Sequence, residues 1–223
     1  MAPHILVKWT KGQSRWPRRF LATAARICGA DVRLTGEPVA PHSLLVANHL
    51  SWLDILVLGG ATGCAFVSKD NLGHGLLHWL ADQNGTLYVK RSHRRGARDQ
   101  AVEIATALAR GRPVVLFPEG TTGPGDGLLP FRSTLLEAAT FAAGDVAVRP
   151  VALDYGPART EVGWWREPGL ANVCRVLGRA GRLPVTVRLL DPVPPGDRKT
   201  LAAAARRSIE KALAASDSHW PGL

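Results

Sequence analysis

Leu44-Leu45-Val46-Ala47-Asn48-His49-Leu50-Ser51-Trp52-Leu53-Asp54 carries a short apolar stretch straight into a polar turn and then into a second apolar period. An apolar run of four residues closed by Asn48 and His49 reads as a buried strand. The following Ser51-x-x-Asp54 reads as a capping box that starts a helix at Ser51. His49 then stands in the strand-to-helix junction. On one continuous helix, residues five apart point about 140° away from each other, so His49 and Asp54 can meet only if His49 lies in the turn before the helix. Asp54 has two compatible roles there: it can bond the backbone of the first turn, and it can orient the imidazole.

Outward from this junction the chain keeps alternating short β-branched runs with longer helical periods, the pattern of an α/β protein with a central mixed sheet flanked by helices. Strands are expected at Leu44–Ala47, Thr86–Val89, Val114–Phe117, Val146–Leu153 and Val185–Leu190. Helices are expected at Arg98–Arg110, which stops at Gly111, at Ser133–Ala143, which opens with the capping box Thr134-x-x-Glu137, and at Arg198–Ala215 behind an Asp197 cap. No internal repeat or long flexible linker divides the chain. Its clearest breaks are Gly123–Gly127 and Asp191–Asp197.

The 223 residues, 46% hydrophobic, are enough for one sizeable core, which excludes disorder as a description of the whole. The net charge of +10 is concentrated in two places. Residues 1–30 carry six basic side chains and no acid, and residues 90–98 (KRSHRRGAR) carry five more, together accounting for the whole excess. Over Trp16–Cys28 a helical period places Trp16, Phe20, Ala24 and Ile27 on one arc, with Arg15, Arg18, Arg19 and Arg26 on the other. Such a segment is either an interfacial helix on an anionic membrane or an ordinary helix packed on the core with a solvated basic face. The expected division is a basic amphipathic segment at 1–35 and a catalytic domain at 36–223. No signal peptide pattern and no span of ~20 apolar residues is visible. Three widely spaced cysteines, Cys28, Cys64 and Cys174, fit neither a disulfide framework nor a zinc ribbon.

Two further segments bring chemistry to strand ends. Val114–Phe117 runs into Pro118-Glu119-Gly120-Thr121-Thr122, and Gly85–Arg91 (GTLYVKR) delivers Lys90 and Arg91. Open α/β sheets bind ligands at such carboxyl ends, and a guanidinium there can hold an anionic head group. Each taken alone also reads as a plain turn or a solvated loop.

In order and spacing, NHLSWLD, GTLYVKR, FPEGTT and Val148–Leu153 (VRPVAL) resemble the four motifs of the glycerolipid acyltransferase family, typified by 1-acyl-glycerol-3-phosphate and lysophospholipid acyltransferases. The resemblance covers roughly residues 40–155. It implies a glycerol-3-phosphate acyltransferase-like fold and transfer of a fatty acyl group from an acyl-CoA or acyl carrier protein thioester to the free hydroxyl of a lysolipid. His49 is the implied general base and Asp54 its orienting carboxylate, because an alcohol is a poor nucleophile and imidazole titrates near neutral pH. No acyl-enzyme, cofactor or metal is implied. Arg91, Glu119, Gly120, Thr121 and Thr122 are the implied head-group contacts, with Asn48 and Ser51 beside them and Pro150 shaping the wall. Backbone N–H groups at the start of the Ser51 helix are candidate oxyanion donors.

Where many lysophosphatidate enzymes read F-P-E-G-T-R-S, this chain has Thr122 and Gly123, and SWLD with FPEGTT-G is closer to a branch that acylates lyso-ornithine lipid. Both acceptors remain open at this point, with a more general lysophospholipid as a third and with Arg132 able to supply the missing charge. The implied location is the cytoplasmic face of the inner membrane, as a peripheral protein.

Other signals carry less. His74 and His78 have metal-ligand spacing, but Gly75 replaces the glutamate of a zinc protease motif. Lys69 is a minor head-group candidate, and Trp164-Trp165 suits an interface or the core. There is no G-x-S-x-G elbow and no P-loop. The competing class is a non-catalytic basic module for anionic membrane or nucleic acid. Nucleic acid is disfavoured because the basic runs lack interleaved aromatics.

Overall fold

The computed structural model describes residues 16–69, 87–89, 94–111, 113–141 and 146–217. Helix α1 (Trp16–Ile27) leads into β1 (Ala30–Thr35), β2 (Ser43–Ala47), α2 (Leu53–Thr62), β3 (Ala65–Lys69), β4 (Leu87–Val89), α3 (Arg94–Ala109) and β5 (Val114–Leu116). A 3-10 turn (Thr134–Glu137), α4 (Ala138–Phe141), β6 (Ala147–Asp154), α5 (Arg159–Val162), α6 (Gly169–Leu177), β7 (Leu183–Leu189) and α7 (Arg198–Asp217) follow. The sheet order is β1-β7-β6-β2-β5-β3-β4. Only the β6–β7 pairing is antiparallel among these seven strands, so the sheet is mixed, as the sequence pattern implies.

Strand β2 is buried along its whole length because both sheet faces are covered. Leu45 and Ala47 join Leu53, Val57 and Leu58 of α2 in one core, and Leu44 and Val46 join Ile104, Leu108, Leu201 and Ala205 in the other. Since β6, β2 and β5 are adjacent and parallel, their carboxyl ends lie side by side. That edge is where His49, Glu119 and Tyr155 emerge.

Helix α1 is packed on the core by a face that the two-arc reading passes over. Leu21 and Ala25 are buried, and Arg18 donates to the Gly60 and Ala61 carbonyls at 3.2 and 2.7 Å. A cation there also suits the carboxyl end of α2. The helices approach so closely that a Cβ on Gly60 would lie 2.6 Å from the Ala22 backbone, and one on Gly59 2.5 Å from Leu21 Cδ1. On the opposite side of α1, Trp16, Phe20 and Ile27 are 45%, 41% and 80% exposed. Strand β1 lies in the sheet against β7, so residues 30–35 of the N-terminal segment belong to the sheet.

Several elements differ from the sequence pattern. The expected helix at Ser133–Ala143 is a 3-10 turn followed by one turn of α4, with residues 142 and 143 outside the described set. No side-chain cap bond forms there, and Glu137 pairs with Arg198 at 3.4 Å instead. Asp197 does cap α7, accepting the Lys199 and Thr200 N–H groups at 2.7 and 3.1 Å. Strands β1 and β3 and helix α6 were not singled out in the sequence pattern. Edge strand β1 exposes both faces, which mixes charged with apolar residues, and β3 follows α2 inside one weakly polar run. All three cysteines are free thiols.

Candidate active site

The turn between β2 and α2 is organised around one buried carboxylate. Asp54 is fully buried, and its Oδ2 accepts hydrogen bonds from His49 Nδ1 at 2.8 Å, Leu50 N at 2.6 Å and Ser51 N at 2.9 Å. Its Oδ1 accepts the Tyr155 hydroxyl at 2.7 Å. The carboxylate thus fills both roles expected of it, holding the backbone of the turn and fixing the imidazole. Helix α2 begins at Leu53, not Ser51, because Ser51 and Trp52 form the turn that lets His49 fold back. Ser51 Oγ accepts Leu53 N at 3.2 Å.

His49 is 16% exposed at its side chain and stacks on Phe117, with centroids 4.1 Å apart and rings inclined by 16°. With Nδ1 turned toward Asp54, Nε2 is the nitrogen left for an incoming hydroxyl. That arrangement supports a base, whose tautomer is set by the carboxylate behind it.

The backbone of His49 is fixed from the neighbouring strand. Glu119, which follows β5, accepts His49 N on Oε1 and Leu129 N on Oε2, both at 2.8 Å. Each oxygen therefore holds one backbone donor, and the side chain is 4% exposed. Burial pushes the Glu119 carboxyl above its ordinary value, with the two N–H bonds opposing. Gly120 is in the left-handed region at φ 71°, which lets the chain reverse so that Gly123 N reaches the His49 carbonyl at 2.9 Å.

Asn48 clamps β2 to β6, donating to the Leu153 carbonyl at 3.0 Å and accepting Leu153 N at 2.8 Å. Thr122 Oγ1 donates to the Trp164 carbonyl at 2.7 Å, and Trp164 N donates to the Leu50 carbonyl at 2.8 Å. Thr121 is exposed. Pro150 lies within β6, in register with Val46, and Arg132 N is bonded to the Pro118 carbonyl. Arg91, Lys90, His74 and His78 lie outside the described residues. The N–H groups of Leu50, Ser51, Leu53, Asp54 and Ile55 are all engaged within the turn, so an oxyanion there meets no free donor among these five. Among the described residues no cluster of His, Cys, Asp and Glu could hold a metal.

Two contributors lie outside the motifs, Tyr155 and Asn172, whose Oδ1 accepts Trp52 Nε1 at 3.1 Å, and Phe117, the ring under His49, lies within FPEGTT but is not marked there as a contact. Tyr155 directly follows VRPVALD, so its place at the end of β6 was legible, but its reach across to Asp54 was not.

This fold and this site define an acyltransferase. A family model described as Acyltransferase matches residues 31–154, and the chain belongs to that family. It is 37% identical over 201 residues to the lyso-ornithine lipid O-acyltransferase of Pseudomonas aeruginosa, covering 85% of this chain and 76% of that one. It is 30% identical over 217 residues to the Rhodobacter capsulatus protein of the same name, covering 91% and 78%. A 1-acyl-sn-glycerol-3-phosphate acyltransferase from Neisseria gonorrhoeae is 34% identical over 138 residues, or 60% of this chain and 52% of that one. The crystal structure of the 1-acyl-sn-glycerophosphate (LPA) acyltransferase PlsC from Thermotoga maritima superposes with a TM-score of 0.70 at 22% identity, covering 93% of this chain and 81% of that one, which supports the fold.

Proposed function

We propose that this acyltransferase moves a fatty acyl group from an acyl-CoA or acyl carrier protein thioester to the hydroxyl of lyso-ornithine lipid, with His49 as general base. The observation that carries the reading is the His49 Nδ1 to Asp54 bond, which leaves Nε2 directed away from the carboxylate on a partly open ring. The acceptor hydroxyl gives its proton to Nε2 as its oxygen bonds to the thioester carbonyl carbon. Collapse of the tetrahedral adduct breaks the C–S bond, and the imidazolium returns the proton to the thiolate. No covalent enzyme intermediate or cofactor is needed.

Two points favour lyso-ornithine lipid over lysophosphatidate. Four of the relatives carry that name, at 30–37% identity. Thr122 also stands where an arginine would serve a phosphomonoester, and its hydroxyl is held by the Trp164 carbonyl. Arg91 is assigned to the acceptor head group. With Glu119 committed to backbone donors, its part is to hold the His49 turn. Gly120, Thr121 and Thr122 border the acceptor through the turn that Glu119 anchors.

Of the N-terminal segment at 1–35, the part up to the end of α1 is assigned to an anionic membrane surface at the cytoplasmic face, and residues 30–35, paired with β7, go with the catalytic part. Trp16, Phe20 and Ile27 form an exposed apolar stripe on α1, with Arg19 and Arg26 beside it. Among the described residues no helix is long and apolar enough to cross a membrane.

The test is a matrix of acyl-CoA and acyl carrier protein thioesters against lyso-ornithine lipid, lysophosphatidate and a neutral lysophospholipid, with product read by mass spectrometry. Diacyl ornithine lipid should form with a kcat/KM about tenfold or more above the other acceptors, equivalent to ~1.4 kcal/mol. Preference for lysophosphatidate overturns the acceptor assignment, and absence of any product favours a non-catalytic membrane module.

A further inference from the structure

Tyr155 stands one residue beyond β6 and is 1% exposed. Its backbone is pinned on both sides: two residues earlier Asn48 holds Leu153, and Asp154 accepts Gly156 N at 2.9 Å and Arg188 at 3.0 Å. The hydroxyl is the donor that reaches Asp54 Oδ1, while the other three donors share Oδ2. We infer that Tyr155 is a positioning residue that acts through Asp54 on the basicity and orientation of His49. This rests on the assignment of His49 as general base.

Two physical effects support it. The two carboxylate oxygens are tied to different elements, Oδ2 to the turn before α2 and Oδ1 to the end of β6. Rotation of the carboxylate is blocked, and Oδ2 stays aimed at the imidazole. A donor on Oδ1 also withdraws charge from the carboxylate as a whole, so Oδ2 stabilises an imidazolium less strongly. Burial and the Asp54 charge push the Tyr155 hydroxyl well above its ordinary value, so it stays a donor across the working pH range. Among the described residues, the titratable groups that act on the pair are Glu119 from the turn after β5 and Tyr155 from β6.

Tyr155→Phe removes the hydroxyl and keeps the ring. The expected result is a kcat about tenfold lower with both KM values little changed. The acidic limb of kcat/KM should move up by about 0.5–1 pH unit, since the unmoderated carboxylate holds the imidazolium to higher pH. The His49 Nδ1–H proton resonance should move downfield. A hydroxyl that merely satisfies its own burial would lower the melting temperature and leave both the limb and the resonance in place, which overturns the proposal.

The chain has two tyrosines, so a Tyr88→Phe background confines 3-fluorotyrosine to position 155. The more acidic phenol donates more strongly, and the limb should move the opposite way, to lower pH. If Tyr155→Phe does not fold, this arm decides alone, and an unmoved limb overturns the proposal. If the protein transfers no acyl group at all, the functional assignment fails, while the Nδ1–H resonance still reports the Tyr155 to His49 coupling.

Discussion

The turn around His49 and the outer face of α1 are built on opposite rules. At the turn the buried polar side chains are answered internally: Asp54 takes four donors, Glu119 two, and Asn48 bonds Leu153 through both its oxygen and its nitrogen. On α1, three large apolar side chains are left facing out, although the same helix buries Leu21 and Ala25 behind them. A buried polar site without partners would cost about 1–3 kcal/mol per orphaned group, so saturation at the turn is what allows it to exist. Exposed apolar surface of this kind gains little for the fold. The turn suits the reaction geometry proposed for His49, and the stripe suits the membrane contact proposed for α1.

Four substitutions break or sharpen that contrast. His49→Ala removes the base and should cut kcat/KM by about a thousandfold or more, with the melting temperature nearly unchanged, measured by acyl transfer and calorimetry. Retained transfer would dismantle the catalytic side of the comparison. Asp54→Asn should cost about 10²–10³-fold in kcat and, unlike the first, also lower stability, because the side-chain amide cannot accept all of the donors that converge on the carboxylate. Loss of activity without loss of stability would show that the donors find other partners.

On the other region, replacing Trp16, Phe20 and Ile27 together by serine should lower partition into anionic vesicles by about 10–100-fold in a flotation assay. The melting temperature in buffer should hold, since none of the three is buried. Unchanged flotation would remove the reason for the stripe. The smallest effect is expected from Glu119→Gln, about tenfold in kcat through loosening of the His49 backbone. Its pH signature is distinctive. A carboxyl raised by burial favours the folded state in its protonated form, so that contribution is present below the ordinary glutamate value and lost as pH rises through the raised one. Melting temperatures of the two proteins should therefore shift in favour of Glu119→Gln as pH climbs through that window.

Legibility in the sequence followed the same division. The junction at His49 could be read because its constraint is local: a strand, a five-residue offset and a capping pattern leave one way for His49 and Asp54 to meet. The parallel strands β2, β5 and β6 were equally legible, being apolar along most of their length. Contacts that join distant segments left no such pattern. Nothing in VRPVALDY announces that Tyr155 crosses to Asp54, and nothing in FPEGTT announces that Glu119 holds the backbone of His49 and Leu129. Strand β1 and the inner face of α1 were missed because their apolar positions are few and sit among charges. The failed helix at Ser133 shows the converse, since a capping box is only an offer and Arg198 claims Glu137 first.

The glycine pair at the crossing of α1 and α2 has a mechanical consequence. With Gly60 set against the Ala22 backbone, Gly59 against the Leu21 side chain, and Arg18 bonded across the contact, there is little slack for one helix to slide on the other. The next two turns of α2 lead back to the His49 junction. If α1 lies on a membrane as proposed, the imidazole proposed as base is carried at a set height and heading above it, as on a rigid outrigger.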